Sequence, residues 1–216
     1  MSSIRFRYQT IEFGDRDIHL RTLRDKQQYC DKDRVAEKLG ISSAMWPMFG
    51  VIWPSSQVLA NYLQDFDIKN KRILEVGCGI GLVSLLLNSR LANITATDFH
   101  PEVEKYLNIN VHLNDGKKIP FVRTGWDDNI SILGKFDLIV GSDLLYEKDH
   151  AKSLSSFINQ HAKVKVEVIL ADPGRGVHAS FSKNMNLLGY SHNQYKVNDT
   201  PCLETPFKGR ILRYQR

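Results

Sequence analysis

The sequence predicts an α/β fold built on a doubly wound, Rossmann-like sheet of seven strands, mostly parallel with a C-terminal antiparallel strand. Short apolar runs alternate with segments of helical periodicity, which is the order expected of parallel strands joined by crossover helices. Residues 71–87, KRILEVGCGIGLVSLLL, have the pattern of an apolar strand, a glycine-rich turn and an apolar helix. Three predicted strands run into an acid, Asp98, Asp143 or Asp172, at the sheet edge where such folds bind ligands.

The composition is that of an ordinary globular domain. A chain of 216 residues, 42% hydrophobic and 25% charged, is long enough for one domain with a full core. We assign residues 1–50 to a hairpin and helix extension and residues 51–216 to the main domain. A net charge of +5 does not by itself imply a nucleic-acid partner. No signal peptide and no run of ~18 apolar residues is visible, so we expect a cytoplasmic monomer without membrane partners.

The three cysteines favour a reducing compartment. Cys30, Cys78 and Cys202 lie far apart, with the spacing of neither a zinc site nor a disulfide framework. We therefore predict no metal site. Cys78 lies among the glycines but has no evident activating base, so we interpret it as a filler and not as a nucleophile.

The N-terminal region predicts a β-hairpin ahead of the main fold. Residues 4–23 alternate in polarity on either side of a turn at residues 14–17. Residues 25–38 are highly charged and predict a solvent-facing helix that ends at Gly40.

Two Trp-Pro pairs make residues 45–54 an extended, apolar segment, because proline restricts the residue before it. Ser55 and Ser56 then have the character of an N-cap. The helix that follows would place Trp53 beside the glycine turn, although the tryptophans could equally only attach the N-terminal segment to the core. Its apolar face consists of Val58, Leu59, Tyr62, Leu63 and Phe66.

The glycine turn indicates a polar or anionic ligand. Gly77, Gly79 and Gly81 alternate after Glu75, and glycine permits positive φ and a close approach of the ligand to the backbone. Backbone amides at the start of the next helix suit such a ligand. The dinucleotide fingerprint needs a small residue where Leu82 stands, so a nicotinamide oxidoreductase is disfavoured.

The next two strands end in candidate ligand contacts. Residues 93–98 form a strand whose Asp98 could accept hydrogen bonds from both hydroxyls of a ribose, or could cap the helix at residues 101–113. Residues 119–124 form the third strand, followed by Gly125 and Trp126. The indole of Trp126 could stack on an adenine or be half-buried in the core. Asp127 or Asp128 could accept from the adenine amino group or only cap a turn.

The second half of the sheet carries the predicted acceptor site. Residues 136–142 are continuously apolar, as in a buried parallel strand, and are followed by Asp143 and Tyr146 at the ligand edge. A helix at residues 149–161 leads to a strand at residues 166–171 and to the loop Asp172-Pro173-Gly174-Arg175-Gly176 at the same edge.

The C-terminal residues predict one more helix and an antiparallel pair of strands. The helix at residues 177–188 should end at Gly189. The strands are residues 190–197 and 211–214. The tail is basic, which predicts a solvated edge strand in preference to a binding patch. Its cations are Lys208, Arg210, Arg213 and Arg216.

Together these motifs resemble a known family. The pattern Glu75-x-Gly77-x-Gly79-x-Gly81 resembles motif I of the class I (seven-β-strand) S-adenosylmethionine-dependent methyltransferases. With Trp53, Asp98, Gly125-Trp126 and Asp143-Leu144-Leu145-Tyr146, residues 51–176 resemble the methyltransferase-like protein lysine methyltransferases. Pro54 departs from the family, in which an acid or a small residue is common there.

The resemblance implies S-adenosylmethionine (SAM) as the cofactor, S-adenosylhomocysteine as its product and a protein as the substrate. It implies Asp143 and Tyr146 as the acceptor-site pair and the hairpin as a substrate-facing extension. The implied cofactor contacts are Trp53, Glu75, Gly77, Cys78, Gly79, Gly81, Asp98, Trp126 and Ser142.

The implied reaction is direct methyl transfer to a neutral lysine amine. Because a carboxylate alone would raise the pKa of that lysine, Asp143 is better interpreted as an orienting acceptor than as a strong base. The ring of Tyr146 can attract a cation.

Two alternatives remain. The first is a methyltransferase for RNA or a small molecule, against which stand the missing Asn/Asp-Pro-Pro-aromatic motif and the lack of a basic stretch with aromatics. The second is a SAM-binding module without catalysis, which the intact acids disfavour.

Overall fold

Within the described residues, the main sheet has seven strands, which confirms the predicted fold class. The computed structural model describes residues 4–25, 29–128, 131–147, 149–197, 200 and 203–216, so Cys202 lies outside the described residues. The strands are β3 (Arg72–Val76), β4 (Asn93–Asp98), β5 (Phe121–Arg123), β6 (Phe136–Ser142), β7 (Ala162–Asp172), β8 (Ser191–Lys196) and β9 (Arg210–Gln215). Their order is β5-β4-β3-β6-β7-β9-β8. Neighbours from β5 to β7 pair in parallel, and β9 is antiparallel to both β7 and β8.

The helices cover both faces of this sheet. They are α1 (Val35–Lys38), α2 (Pro54–Leu63), α3 (Leu82–Ser89), α4 (Val103–Leu113), α5 (His150–His161) and α6 (His178–Leu187). Consecutive strand residues point to opposite faces, so Ile73 joins the apolar cluster with α2, α3 and α4, whereas Leu74 joins the cluster with α5 and α6. Burial of both faces explains why β3 and β6 are apolar along most of their length. No helix in the described ranges is both long and apolar enough to cross a membrane.

The predicted hairpin is present and shares the larger apolar cluster. Strands β1 (Phe6–Phe13) and β2 (Arg16–Leu23) pair antiparallel around Gly14, which has φ 61°. Phe13, Ile18 and Leu20 are buried in the cluster that contains α3 and α4. The hairpin therefore contributes to the core of the main fold, and the division at residue 50 remains a prediction about sequence organisation.

Two asparagines of α4 hold the hairpin through its backbone. Asn110 is fully buried; its Oδ1 accepts from the amide of Arg21 (2.8 Å) and its Nδ2 donates to the carbonyl of Ile80 (3.0 Å) in the glycine turn. Asn114 accepts from the amide of His19 and donates to its carbonyl. Helix α4 thus connects β2 with the turn.

Replacing Asn110 by alanine should lower the free energy of unfolding by about 2–4 kcal/mol, because it leaves a buried amide and a buried carbonyl without their partner. Urea unfolding measures the change. Asn108→Ala, at an exposed position of the same helix, is the control and should change stability by less than about 0.5 kcal/mol. Equal losses of stability in the two variants would show that the hydrogen bonds of the Asn110 side chain are not the cause.

Two predictions about the N-terminal segment were wrong. The helix expected at residues 25–38 is limited to α1, because the carboxylate of Asp31 accepts from the amides of Val35 and Glu37 and so caps a helix that starts late. Residues 26–28 of that predicted helix lie outside the described ranges. The N-cap of α2 is Trp53 and not Ser55 or Ser56; Pro54 occupies its first turn.

The edge strand predicted from the basic tail was also wrong. Strand β9 lies inside the sheet, and β8, whose residues are mostly exposed, forms the edge. Arg213 is ion-paired with Glu167 of β7, and Arg210 donates to Gln194 of β8 (2.7 Å). Partners on neighbouring strands thus hold these arginines in an internal position.

Candidate functional site

A cavity of about 850 Å³ lies at the carboxyl ends of β3, β4 and β6. It brings together most of the residues predicted for the cofactor and the acceptor. Those that line it are Trp53, Gly77, Cys78, Gly79, Asp98, Trp126, Ser142, Asp143 and Tyr146. Glu75 and Gly81 do not line it. The hairpin contributes no described residue to the lining, whereas the segment from Gly40 to Trp53 contributes several.

The glycine turn has the backbone that its spacing predicts. Gly77, Gly79 and Gly81 have φ angles of 64°, 53° and 84°. A Cβ at Gly77 would come within 2.5 Å of Leu144 Cδ2, and a Cβ at Gly79 within 3.1 Å of the carbonyl oxygen of Phe49. Both the backbone conformation and the close neighbours therefore require glycine at these two positions.

Asp98 binds the turn from the end of β4. Its Oδ2 accepts from the amide of Gly79 and its Oδ1 from the amide of His100, both at 2.9 Å. Burial raises the pKa of this carboxyl, and the backbone hydrogen bonds oppose that change. The N-cap of α4 is Glu102, so the alternative role of Asp98 as helix cap is not what the structure has. The carboxylate instead orients the turn and faces the cavity.

Glu75 lies beneath the turn. Its Oε2 accepts from the amide of Ser84 (2.8 Å) and from the Ser84 hydroxyl, so it fixes the start of α3. Burial is the main cause that raises the pKa of Glu75 to about 8; the bonds from Ser84 lower it and the charge of Asp98 raises it. Gly81 is packed against Leu107. These two residues support the turn from behind, and direct cofactor contact by either remains a prediction.

The raised pKa of Glu75 makes the stability of the fold depend on pH. The pKa of Glu75 is ordinarily 4.5 and is about 8 in the folded protein, so the folded state holds this proton more tightly than the unfolded state does. The contribution of Glu75 to stability is therefore greatest below pH 4.5. Relative to Glu75→Gln, the wild type should lose free energy of unfolding steadily as the pH rises from 4.5 to 8. Urea unfolding of both proteins at several pH values measures this difference. A difference that is constant with pH would contradict it.

Two tryptophans, Trp53 and Trp126, line the cavity. The indole Nε1 of Trp53 donates to the carbonyl of Met48 (3.0 Å). Trp126 is half-buried, and its ring meets His150 edge-on at 4.9 Å between centroids. Trp126 therefore fits both of its predicted roles, since it packs on the core and lines the cavity. Asp128 accepts from the amide of Gly125 (2.6 Å), which is the turn-capping role.

The predicted acceptor pair lies beyond the end of β6. Asp143 has φ 54°, a left-handed conformation that non-glycine residues seldom adopt, and its side chain is 10% exposed. The ring of Tyr146 packs edge-on against His150 at 4.4 Å between centroids. Burial is the main cause that raises the pKa of Tyr146 to about 12, so its phenol is neutral at physiological pH.

Sequence reasoning did not identify Arg175 or His150 as site residues. Arg175 donates from Nε and Nη2 to the two carboxylate oxygens of Asp143, at 3.0 and 2.9 Å. Nδ1 of His150 lies 3.1 Å from the carbonyl oxygen of Leu144. The sequence did contain a signal for Arg175. This residue follows β7, which is adjacent to β6, and the carboxyl ends of adjacent parallel strands meet at one edge of the sheet.

The fold is the one shared by the class I SAM-dependent methyltransferases. A ribosomal RNA methyltransferase of Thermus thermophilus, the 16S rRNA N2 G1207 enzyme RsmC in complex with AdoMet and guanosine, superposes with a TM-score of 0.70. The superposition covers 100% of this chain and 51% of that one at 14% identity, which shows the shared fold alone.

The family follows from the sequence comparison. The sequence model of the family described as "Lysine methyltransferase" matches residues 36–187, which is more than half of the chain. The chain therefore belongs to the lysine methyltransferase family, and this confirms SAM as the predicted cofactor.

Two relatives with assigned names are similar to this chain in sequence. The zebrafish (Danio rerio) protein N-lysine methyltransferase METTL21A is 31% identical over 58% of this chain and 62% of its own length. The rat (Rattus norvegicus) electron transfer flavoprotein beta subunit lysine methyltransferase is 32% identical over 60% of this chain and 51% of its own length. The chain thus matches between half and two thirds of the length of these relatives.

Proposed function

We propose that the protein transfers a methyl group from SAM to the side-chain amine of a lysine in a protein substrate. The observation that carries this proposal is the position of Asp143. Its carboxylate lines the same cavity as the glycine turn and Asp98, and Tyr146 lies beside it. An oriented acceptor and an aromatic ring at the end of a cofactor cavity suit an amine. The relatives named as protein lysine methyltransferases support a protein substrate.

The residues present fit the cofactor. Gly77 and Gly79 line the cavity, and a side chain at either position would clash with Leu144 or with the carbonyl oxygen of Phe49, so the turn requires glycine. The amides of Cys78 and Gly79 donate within the protein, to the carbonyl of Thr97 and to Asp98. Asp98 would accept from the ribose hydroxyls, and Trp126 would cover the adenine. Trp53, Cys78 and Ser142 would complete the contacts. When bound, SAM supplies an already activated methyl group, so the protein has only to position and desolvate the acceptor.

The acceptor half of the cavity would orient the amine. Asp143 would accept a hydrogen bond from the lysine nitrogen and so direct its lone pair away from the carboxylate. The face of Tyr146 favours the positive charge that develops on that nitrogen. A lysine in water has a pKa of about 10.4, so it must lose a proton, to solvent, before it can react.

The test is transfer of label from tritiated SAM to proteins in a lysate of cells that lack this protein. Purified wild type should label at least one protein band, and Asp143→Ala should not. Acid hydrolysis of the band should release labelled methyllysine. Label that disappears only with ribonuclease, or that is released as methylhistidine, would contradict the proposal.

We also propose that the protein acts as a cytoplasmic monomer without nucleic-acid or membrane partners. Support comes from the free thiols of Cys30 and Cys78, which suit a reducing compartment. The large exposed apolar side chains of the described ranges come from separate elements, for example Tyr8 of β1 and Leu187 of α6. Light scattering of the purified protein tests the monomer, and imaging of a tagged copy tests the compartment.

A further inference from the structure

We propose that Arg175 is a positioning residue that fixes the carboxylate of Asp143 and cancels its charge, so that the acceptor lysine enters as a neutral amine. This inference rests on the proposed function and assigns a residue to it that the sequence motifs do not include. It starts from a chemical conflict. A carboxylate beside the acceptor orients the amine, but it also favours the ammonium form, which has no lone pair with which to react.

The geometry of the pair resolves this conflict. Arg175 approaches Asp143 side-on, with Nε 3.0 Å from Oδ1 and Nη2 2.9 Å from Oδ2. Such a fork holds the plane of the carboxylate as well as its position. The side chain of Asp143 is 10% exposed and that of Arg175 is 46% exposed, so the arginine covers the carboxylate on its solvent side.

The loop around Arg175 is built to present this side chain. Gly174 and Gly176 have φ angles of 92° and 89°, which only glycine adopts readily. The amide of Gly174 donates to Oδ2 of Asp172 (3.0 Å), and Asp172 is buried at the end of β7. Two glycines therefore turn the chain on either side of Arg175, while Asp172 anchors the base of the loop. The alternative, a mobile surface arginine, would need neither feature.

The positive charge of Arg175 acts on the ring of Tyr146. The charges of Asp98, Glu147 and Asp143 act in the same direction as burial on the phenol of Tyr146 and raise its pKa, whereas the charge of Arg175 lowers it. A lysine nitrogen in the space between Asp143 and Tyr146 would experience the same opposing charges. Because the acids outnumber Arg175 among the described residues there, its removal would leave the acceptor space strongly negative.

The other ionisable groups around this pair come from every neighbouring element. Within the part of the chain that the structure describes, they are Asp98 at the end of β4, Tyr146 and Glu147 after β6, Asp149 and His150 at the start of α5, Asp172 of β7, His178 of α6 and Arg210 of β9. Burial raises the pKa of Asp172, and the charges of His178, at 3.7 Å, and of Arg210 oppose that change, so both cations act on that carboxylate. Neither compensates Asp143 through a hydrogen bond, so Arg175 performs that role.

Removal of the arginine charge should therefore raise the pKa of the bound lysine by about one unit. The experiment measures single-turnover transfer of tritium with saturating labelled SAM and the enzyme in excess over acceptor proteins of the deficient lysate. Under these conditions the pH dependence reports the enzyme–substrate complex. Arg175→Gln should be about tenfold slower than wild type near neutral pH, and the two rates should converge as the pH rises.

Two further variants make the result decisive. Arg175→Lys keeps the positive charge, so its pH profile should follow the wild type even if its rate is lower. If Arg175→Gln does not fold, Arg175→Met takes its place, because it removes the same charge. Arg34→Gln is the matched control, because Arg34 forms the same side-on fork with Glu37 and neither residue lines the cavity. It should leave both rate and profile unchanged.

The contrary results are equally distinct. If the pH profile of Arg175→Gln is parallel to that of the wild type, whatever its absolute rate, Arg175 is only structural. If Arg175→Gln is faster than the wild type near neutral pH, Arg175 obstructs the lysine. Either result overturns this inference and leaves the proposed function intact. A wild type that labels no lysine at any pH overturns the proposed function, and this inference with it.

Discussion

Replacing Asp98 by alanine should weaken SAM binding by about a hundredfold or more. Two charge-assisted hydrogen bonds to ribose hydroxyls contribute about 1.5 kcal/mol each at least, which is a factor of about a hundred in affinity. The same carboxylate also orients the glycine turn through the amide of Gly79. Calorimetric titration with SAM measures the dissociation constant directly, without any knowledge of the substrate.

A matched variant separates this effect from a general loss of stability. Asp67 also accepts a backbone hydrogen bond, from the amide of Lys69 (3.0 Å), but it is exposed and does not line the cavity. Asp67→Ala should bind SAM as the wild type does. Asp98→Ala protein that is folded by circular dichroism and still binds SAM with unchanged affinity would refute the ribose contact.

Replacing Asp143 by alanine should lower the rate of methyl transfer by about a hundredfold and leave the affinity for SAM within about threefold. The acceptor nitrogen would lose the group that orients it, and misplacement of a reacting atom by about 1 Å has an effect of this size. Tritium transfer from SAM to lysate proteins measures the rate, and calorimetry measures the affinity. A variant with wild-type transfer would remove Asp143 from the acceptor site.

The backbone at Asp143 calls for a second variant. Alanine is strained at φ 54°, whereas asparagine tolerates this left-handed conformation. Asp143→Asn should therefore keep the stability of the wild type and lose less activity than Asp143→Ala, because an amide oxygen can still accept a hydrogen bond. If both variants lost SAM binding as well, the loss would arise from the loop and not from the acceptor site.

Local patterns predicted the parts of this fold that local physics controls. The alternating glycines predicted positive φ at Gly77, Gly79 and Gly81, and the apolar run of β6 predicted a strand buried on both faces. In both cases the side chains, or their absence, determine the backbone within a few residues. The carboxyl-end rule for parallel sheets then placed Asp98 and Asp143 on one cavity, although their distances from a ligand cannot follow from it.

The failures at the basic tail and at Arg175 involve partners that are distant in the sequence, whereas the failure at α1 is local. The charged composition of residues 25–38 suggested a helix, but the position of one capping carboxylate, Asp31, decides where it starts. The basic tail suggested an exposed edge because the acid that pairs with Arg213 lies 46 residues away, on β7. Arg175 and Asp143 are 32 residues apart, and only the three-dimensional loop shows that they meet.

The attachment of the hairpin to α4 bears on how new specificity can be engineered. Asn110 and Asn114 form hydrogen bonds with main-chain groups of Arg21 and His19, and every amino acid except proline offers the same groups. The outward-facing side chains of the hairpin are thus free to diversify without loosening its attachment. A chimaera that imports the hairpin of another family member should fold if it keeps both asparagines and the small set of inward apolar residues. The hairpin is in that sense a replaceable module on a constant enzyme body.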